Sequence, residues 1–503
     1  MKQYILLLLL IGLTISCAKL DYPPSDSLTT EELLNTPNGL EIITNGNYSL
    51  FKDGIEFNGV LDDNNSYLRQ YFQMSDFAAD DIVCGQVTED PLYYSFTYTH
   101  SPSQANARYF WYASYKIISG ANTVINYLEN KSNLNDNEKQ FLGENYFLRG
   151  FVTFSLVKFY AYQYNIGDPN ANLGVVLRLS TSEPKEKSRS SVAETYSQVI
   201  EDLTTAANLM NTSRGKEYAS KEAAWALLSR VYLYMNNYNK VIEYADRVIN
   251  SGIFNLETSA NFPNYYTNTL GSNETIWAIA FTPADNKGKF GSIASMIYSD
   301  GNSGWGEEFA TYDYMDLLSN NDVRKSLIEP KLDASGDVEL KNGLEIYYIK
   351  KFSYQDGDPN LSSPVMLRLA EVYLNRAEAK AQLNDEAGAL SDINHIRENR
   401  GLANELITAV PAGETIVDVV LRERRLELAF EGHRLFDLLR NHQNIVRHYW
   451  GYHIPGLNIG DIDLDNPPTS GYDNLDINYD SPRVLYYIPI DEILTNSLCE
   501  QNQ

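Results

Sequence analysis

A chain of 503 residues with a formal net charge of −26 is long enough to bury a large core. It is too acidic to neutralise a phosphate backbone, which excludes nucleic acid as a partner. No GxSxG, HExxH, Walker loop or dinucleotide fingerprint occurs, and the six histidines have no zinc spacing, so the sequence gives no sign of an enzyme.

The chain opens on Lys2 and an apolar run, Tyr4 to Leu13. That run is shorter than the about 20 residues a bilayer span needs, so it reads as a secretory signal. It ends in Thr14-Ile15-Ser16-Cys17, which resembles a lipobox, with a small residue directly before the cysteine and Thr14 where leucine is usual. Residues 1–17 are therefore expected to form a lipoprotein signal peptide, with Cys17 as the lipid attachment point. Each buried acyl CH₂ contributes about 0.8 kcal/mol, so more than one chain anchors firmly. Tyr22-Pro-Pro-Ser-Asp-Ser-Leu28 reads as a tether. Cys84 and Cys499 make no disulfide framework, and their sequence does not decide whether they pair with each other.

Apolar residues at three- and four-residue spacing then predict helices over about 105–130, 136–163, 190–211, 218–236, 238–251, 363–384, 386–400 and 414–441. Between 253 and 360 Gly and Asn interrupt the pattern, and Glu274 to Phe281 reads as a strand that buries Trp277. Trp111 and Trp225 belong to helical packing patterns. Residues 452–482, rich in Asp, Gly, Pro and Tyr, read as loop. Trp225, Leu228, Ser229, Tyr232, Tyr238, Val241, Ala245 and Val248 have tetratricopeptide-like offsets. Tyr373, Ala377, Ala389, Ile393 and Ile396 form a weaker second copy, with Arg376 and Lys380 at places that are usually apolar. The expectation is a mainly α fold: a tetratricopeptide-like scaffold, an irregular loop-rich region and a few short strands.

Longer motifs carry a family resemblance. Arg368 to Ala379, Leu421 to Arg440, Leu142 to Phe154 and Tyr115 to Val124 are similar to signature helices of the SusD/RagB family, and Asp322 to Arg324 and Ile488 to Ile493 also fit. The resemblance implies one SusD-like domain over 18–503, with a helical part over 18–252 and a part over 253–503 that carries the irregular region. It also implies a surface-exposed, lipid-anchored protein of the outer membrane that captures glycans for a SusC-like TonB-dependent transporter. The RagB side of the family implies a peptide ligand instead, and an all-helical surface glycosidase is a further alternative. Read from the residues, the 421–440 helix buries Leu421, Leu428, Leu435, Leu438 and Leu439. Glu431 and Arg434 are placed to pair, Gly432 marks a break or a close contact, and Glu427, Glu431 and His433 hold the fold without chemistry.

A glycan site needs aromatic faces for sugar rings and planar polar groups for hydroxyls, set on loops over a rigid scaffold. One candidate stretch contains Phe72 and Asp81 and continues to Tyr94, Phe96 and Tyr98, which share one face if extended. The other runs from Tyr298 to Glu308 and holds Asn302 and the glycine-flanked Trp305. By the resemblance, the region ahead of the Trp111–Tyr115 helix and the loop ahead of Asp322 contribute ligand contacts. No cofactor is expected. Asp461, Asp463 and Asp465 alternate like the start of a calcium loop, but Asn466 replaces the turn glycine and Tyr472 the closing glutamate, which leaves a loose calcium site as the alternative to solvated acids.

Overall fold

The computed structural model describes residues 29–448 and 475–502, apart from 58, 86–92, 212, 342 and 343. The Cys17 segment and the loop of Asp461, Asp463 and Asp465 lie outside the described residues. The chain forms two compact units, residues 1–43 and 44–503. In the first, helix Thr30–Leu34 is capped reciprocally: Glu32 N donates to Thr29 Oγ1 at 3.2 Å, and Thr29 N donates to the Glu32 carboxylate at 2.8 Å.

The second unit contains helices α1 (Tyr67–Asp76), α2 (Ala105–Glu129), α3 (Asp136–Tyr160), α4 (Val192–Leu209), α5 (Lys221–Tyr234), α6 (Tyr238–Ile249), α7 (Leu369–Gln382), α8 (Glu386–Glu398), α9 (Ile416–Leu428) and α10 (Arg434–Arg440), with shorter pieces between them. Their starts follow from side-chain caps. Asn135 with Glu138, Ser191 with Glu194 and Thr415 with Asp418 form capping boxes, and Ser220, Asn237 and Asp385 accept from the first turn. From α2 to α8 each helix packs on the next, and α9 packs across α7 and α8. The two repeat-like hairpins, α5–α6 and α7–α8, are therefore neighbours through α6 and α7, although the irregular region separates them in sequence.

The irregular region is built of 3₁₀ turns, two short α-helical pieces (Gly288–Gly291 and Tyr312–Asp316) and two-stranded antiparallel ladders. Strand β1 (Ile82–Cys84) pairs with β3 (Glu308–Ala310), β2 (Thr275–Ala278) with β6 (Val365–Arg368), and β4 (Ile328–Pro330) with β5 (Tyr347–Ile349). Strand β2 buries Trp277 completely, edge-on to Phe147 and Phe151. Helix α7 starts later than its apolar pattern suggests because residues 365–368 belong to β6. Cys84 and Cys499 are buried thiols that are not bridged to each other.

Arginines bind this unit from inside. Arg230, Arg324, Arg368, Arg400 and Arg424 are among its largest fully buried side chains. Glu427 accepts from Arg324 at 3.1 Å, Arg368 at 2.6 Å and Arg400 at 2.7 Å. Glu274 accepts from Arg368 and Arg400, both at 2.9 Å. Glu431 accepts from Arg368 at 2.8 Å and Lys351 at 2.7 Å, and Glu423 joins Arg324 to Arg397. Asp322 closes the cluster on Arg324 at 2.7 Å. Five cations thus face five carboxylates, so the cluster carries no net charge. Burial alone would raise the pKa of Glu427, but Arg400, Arg368 and Arg324 outweigh it and hold the carboxylate ionised.

A second balanced group joins α7 to α5, α9 and α10. Glu378 and Asp437 take Arg440 and Arg424, Arg424 also donates to Asn375 at 2.8 Å, and Arg230 clamps Glu371 at 2.5 and 2.6 Å. Between α7, α8 and α6, the anomalous Arg376 and Lys380 both reach Asp392, at 2.6 and 2.9 Å, and Arg376 reaches Asp246 at 2.6 Å. Ion bridges replace apolar packing at those repeat positions.

The expected 414–441 helix is two helices. Phe430 and Gly432 take positive φ of 64° and 76° between them, and the Gly432 N–H donates to both oxygens of Asp76 at 3.1 and 3.2 Å. Leu421, Leu428, Leu435, Leu438 and Leu439 are all buried. The expected Glu431–Arg434 pair is corrected: the break turns Glu431 to Arg368 and Arg434 to Asp80 instead.

Removing one carboxylate would leave several buried guanidinium groups underpaired. Glu427→Gln is expected to destabilise the chain by about 3–5 kcal/mol in urea unfolding. An unchanged midpoint would show that the cluster does not hold the fold.

Candidate functional site: an aromatic cleft at Trp305

A cleft of about 380 Å³ opens where two distant segments meet. The first is the turn leading into α1. Asp62 accepts the Asn64 N–H at 3.0 Å and the Asn65 side-chain amide at 2.8 Å. Ser66 caps α1 by accepting the Arg69 N–H at 3.3 Å, and the Arg69 guanidinium donates back to the Asn64 carbonyl at 3.0 Å and to Asn65 Oδ1 at 3.3 Å. This Asp/Asn/Ser run is a helix start, and Asp62, Asn64, Asn65 and Arg69 line the cleft with planar side chains.

The second segment supplies the apolar wall. Phe290 and Trp305 are 56% and 44% exposed, with rings 5.4 Å apart in an edge-to-face arrangement over buried Met296. Lys289 Nζ lies 4.6 Å from the indole centroid. Glu307 completes the lining.

Trp305 is held out by its neighbours. Its backbone N–H donates to the Ser295 carbonyl at 2.6 Å. Gly304 and Gly306 take φ of +72° and +58°, and a Cβ on Gly304 would lie 2.1 Å from the Tyr298 carbonyl oxygen. Only glycine fits there, which explains the glycines around the indole. Asp300 ties the loop tip by accepting the Ser303 and Asn302 N–H groups at 2.6 and 2.9 Å, which lowers its pKa.

One continuous path fixes both segments. Gln73 on α1 donates to the Ile293 carbonyl at 3.1 Å. Beyond Asp76, Asp80 takes Arg434 at 2.7 Å and Asp81 takes Arg425 at 2.6 Å. The chain then enters β1, which pairs Cys84 with Glu308, directly after the Trp305 loop. The network behind α9 and α10 thus holds both walls.

Residues 331–503 match the SusD family, and residues 46–233 match a family described as "Starch-binding associating with outer membrane". SusD-like protein P2 of Formosa agariphila is 24% identical over 481 residues, covering 88% of this chain and 91% of that protein. A SusD superfamily protein from Bacteroides thetaiotaomicron has a TM-score of 0.78 at 27% identity, covering 95% of this chain and all of that one. Another from Bacteroides vulgatus has a TM-score of 0.75 at 26% identity, covering 92% and 98%. The chain belongs to the SusD-like family.

In this SusD-like chain the candidate ligand residues divide sharply. Trp305 lines the cleft, and Asn302 is exposed on the same loop. Tyr298 lies beneath that loop, 2% exposed, with its hydroxyl 2.5 Å from that of Tyr354. The other stretch is corrected. Residues Tyr93–Thr97 are helical, so Tyr94, Phe96 and Tyr98 do not share an extended face. Phe96 stacks on Phe77 at 4.4 Å, Tyr98 donates to the Ala78 carbonyl, and Phe72 packs on Phe352 at 4.8 Å, all three buried. Tyr94 is half-buried. Asp81 is spent on Arg425. Sequence reasoning missed Asp62, Asn64, Asn65, Arg69, Phe290 and Met296, whereas Glu307 falls inside the Tyr298–Glu308 stretch without having been singled out. The signal for the first three was the Asp-Asp-Asn-Asn-Ser run before α1, and Arg69 follows in the first turn of that helix.

A separate polar cleft of about 430 Å³ lies among Tyr115, Asn122, Arg178, Glu183 and Glu492. Among the described residues no cluster of His, Cys, Asp or Glu is arranged to hold a metal ion, and no helix is long and apolar enough to cross a membrane.

Burial would raise the Asp80 pKa, but the charge and hydrogen bonds of Arg434, then Arg425, bring it from 3.8 to about 2. As pH falls the unfolded chain takes up this proton first, so the stabilisation is complete above about pH 4 and lost as pH falls through about 2. Wild type is expected to exceed Asp80→Asn by about 2 kcal/mol near pH 6 and by about half that near pH 3, in urea unfolding at each pH. A gap independent of pH would contradict this anchoring.

Proposed function

We propose that this protein binds carbohydrate at the Trp305 cleft and presents it for import. The observation that carries the reading is an exposed Trp305–Phe290 ledge beside Asp62, Asn64, Asn65 and Arg69. Sugar rings offer an apolar face to an aromatic ring, and their hydroxyls match fixed carboxylate, amide and guanidinium groups. The family description "Starch-binding associating with outer membrane" supports both the ligand class and the location. In this reading Cys17 carries the lipid, residues 18–503 form the mature chain on the outer face of the outer membrane, and a SusC-like TonB-dependent transporter receives the ligand.

The protein acts by capture rather than catalysis. Glu427 and Glu431 are neutralised by buried Arg and Lys partners, and burial together with nearby guanidinium charge keeps the His433 pKa well below its ordinary value. None of the three lines the cleft.

Residues 18–503 are expected to be retarded in native gels containing soluble starch, or another soluble polysaccharide run in parallel. Trp305→Ala should lose at least about tenfold in affinity, a change of about 1.4 kcal/mol, while keeping its fold. No new reducing ends should appear. Equal retardation of wild type and variant would remove Trp305 from the site, and retention by a peptide library instead of polysaccharide would favour a peptide ligand.

A further inference from the structure

The Trp305 cleft does not end at Asp62. On the other side of the same turn lies a second open lobe of about 430 Å³, lined by Val60, Leu61, Asp63, Arg108 and Tyr109 and sharing Asp62 and Asn64 with the first. Its outer wall is the hairpin Ile55–Phe57/Val60–Asp62, whose strands pair only with each other among the described residues. Val60 and Leu61 stand 69% and 58% exposed at its tip, among the most exposed large apolar side chains described. Its inner wall is Tyr109 on α2, half-buried against the core. Partial burial and the adjacent Asp62 carboxylate raise the pKa of the Tyr109 hydroxyl, and Asp62 itself lines both lobes. Arg108 is fixed beside it by Asp491 at 2.6 Å.

We infer that the two lobes are one groove and that the ligand is an oligomer long enough to occupy both. The inference rests on the carbohydrate reading of the Trp305 cleft. One part of the chain lies on the Trp305–Phe290 ledge. The chain then crosses the Asp62–Asn64 turn, where fixed carboxylate and amide groups meet its hydroxyls, and continues over Tyr109 and the Val60–Leu61 tip. Each lobe by itself lies toward the small end of the about 300–1,000 Å³ typical of ligand sites, and both are open. Neither encloses a small ligand. Two weak sites joined by one ligand strengthen each other because the second contact is intramolecular. The same arrangement gives the exposed Val60 and Leu61 a purpose: they are covered only when a long ligand is present.

The test is calorimetric titration of residues 18–503 with a ladder of malto-oligosaccharides from disaccharide to octasaccharide. Size-fractionated oligomers of any other polysaccharide that retards the protein are titrated alongside. Wild-type affinity is expected to rise with length until both lobes are filled. Tyr109→Ala should lower affinity for the longest oligomers at least about fivefold and leave the shortest within about twofold. Leu61→Ser, on the exposed hairpin, should act the same way with no cost to folding. Trp305→Ala should weaken every length. If Tyr109→Ala and Leu61→Ser leave long-oligomer affinity unchanged, or weaken all lengths equally, while Trp305→Ala still weakens binding, the two-lobed groove is overturned and the Trp305 site stands. If no oligomer of any length binds the wild type, the carbohydrate reading itself fails, and this inference with it.

Discussion

Glu427 is held by three guanidinium groups that arrive from three parts of the chain. Arg324 comes from the turn before β4, Arg368 from the end of β6, and Arg400 from the end of α8. Glu274, just before β2, accepts from two of the same arginines. A buried cluster of this kind contributes little net attraction, because desolvation offsets most of the Coulomb gain. What it contributes is specificity. Each carboxylate is shared and each arginine is planar with fixed donors, so shifting one element breaks bonds on several others. The irregular region, whose ladders among the described residues are all two-stranded, takes its position from this cluster and from the apolar contacts around Trp277.

The same segment reaches toward the cleft. The break between α9 and α10 sends Glu431 inward, the Gly432 N–H to Asp76, and Arg434 to Asp80. Asp76 closes α1, and the other end of α1 carries Asn65, Ser66 and Arg69 at the cleft. Strand β1 follows Asp81 and pairs with β3, which fixes the return from the Trp305 loop. A motif whose residues never touch the proposed ligand therefore sets the separation of the two walls that would. The arginine-rich α9–α10 segment is thus a positioning element in this chain. Its density of Arg and Glu reflects how many unrelated segments it must hold at once.

The helical scaffold was legible because its apolar positions recur at helical spacing and its first turns carry Ser, Thr, Asn or Asp caps. The break at Gly432 was visible as a glycine in an otherwise unbroken pattern, but the partner change it causes was not. Helical spacing pairs Glu431 with Arg434, whereas the left-handed residues Phe430 and Gly432 turn them apart. Trp305 was legible because a tryptophan between glycines has no place in a core, and the positive φ of Gly304 and Gly306 supplies the reason. The 93–98 stretch was misread because period-two aromatics satisfy a short, largely buried helix equally well. Phe96, stacked on Phe77, shows this. Asp62, Asn64 and Arg69 escaped notice because their role depends on a contact with residues more than two hundred positions away, which no local pattern carries.

The central claim is that ligand is held between the turn before α1 and the Phe290–Trp305 wall, with the buried cluster as frame. Hydrogen–deuterium exchange of residues 18–503, with and without the polysaccharide that retards the protein, tests it directly. The account predicts slowed exchange along residues 60–69 and 288–307, with the core amides of α7 and α9 unchanged. Protection confined to residues 93–98, or to the separate cleft of Arg178 and Glu492, would contradict it.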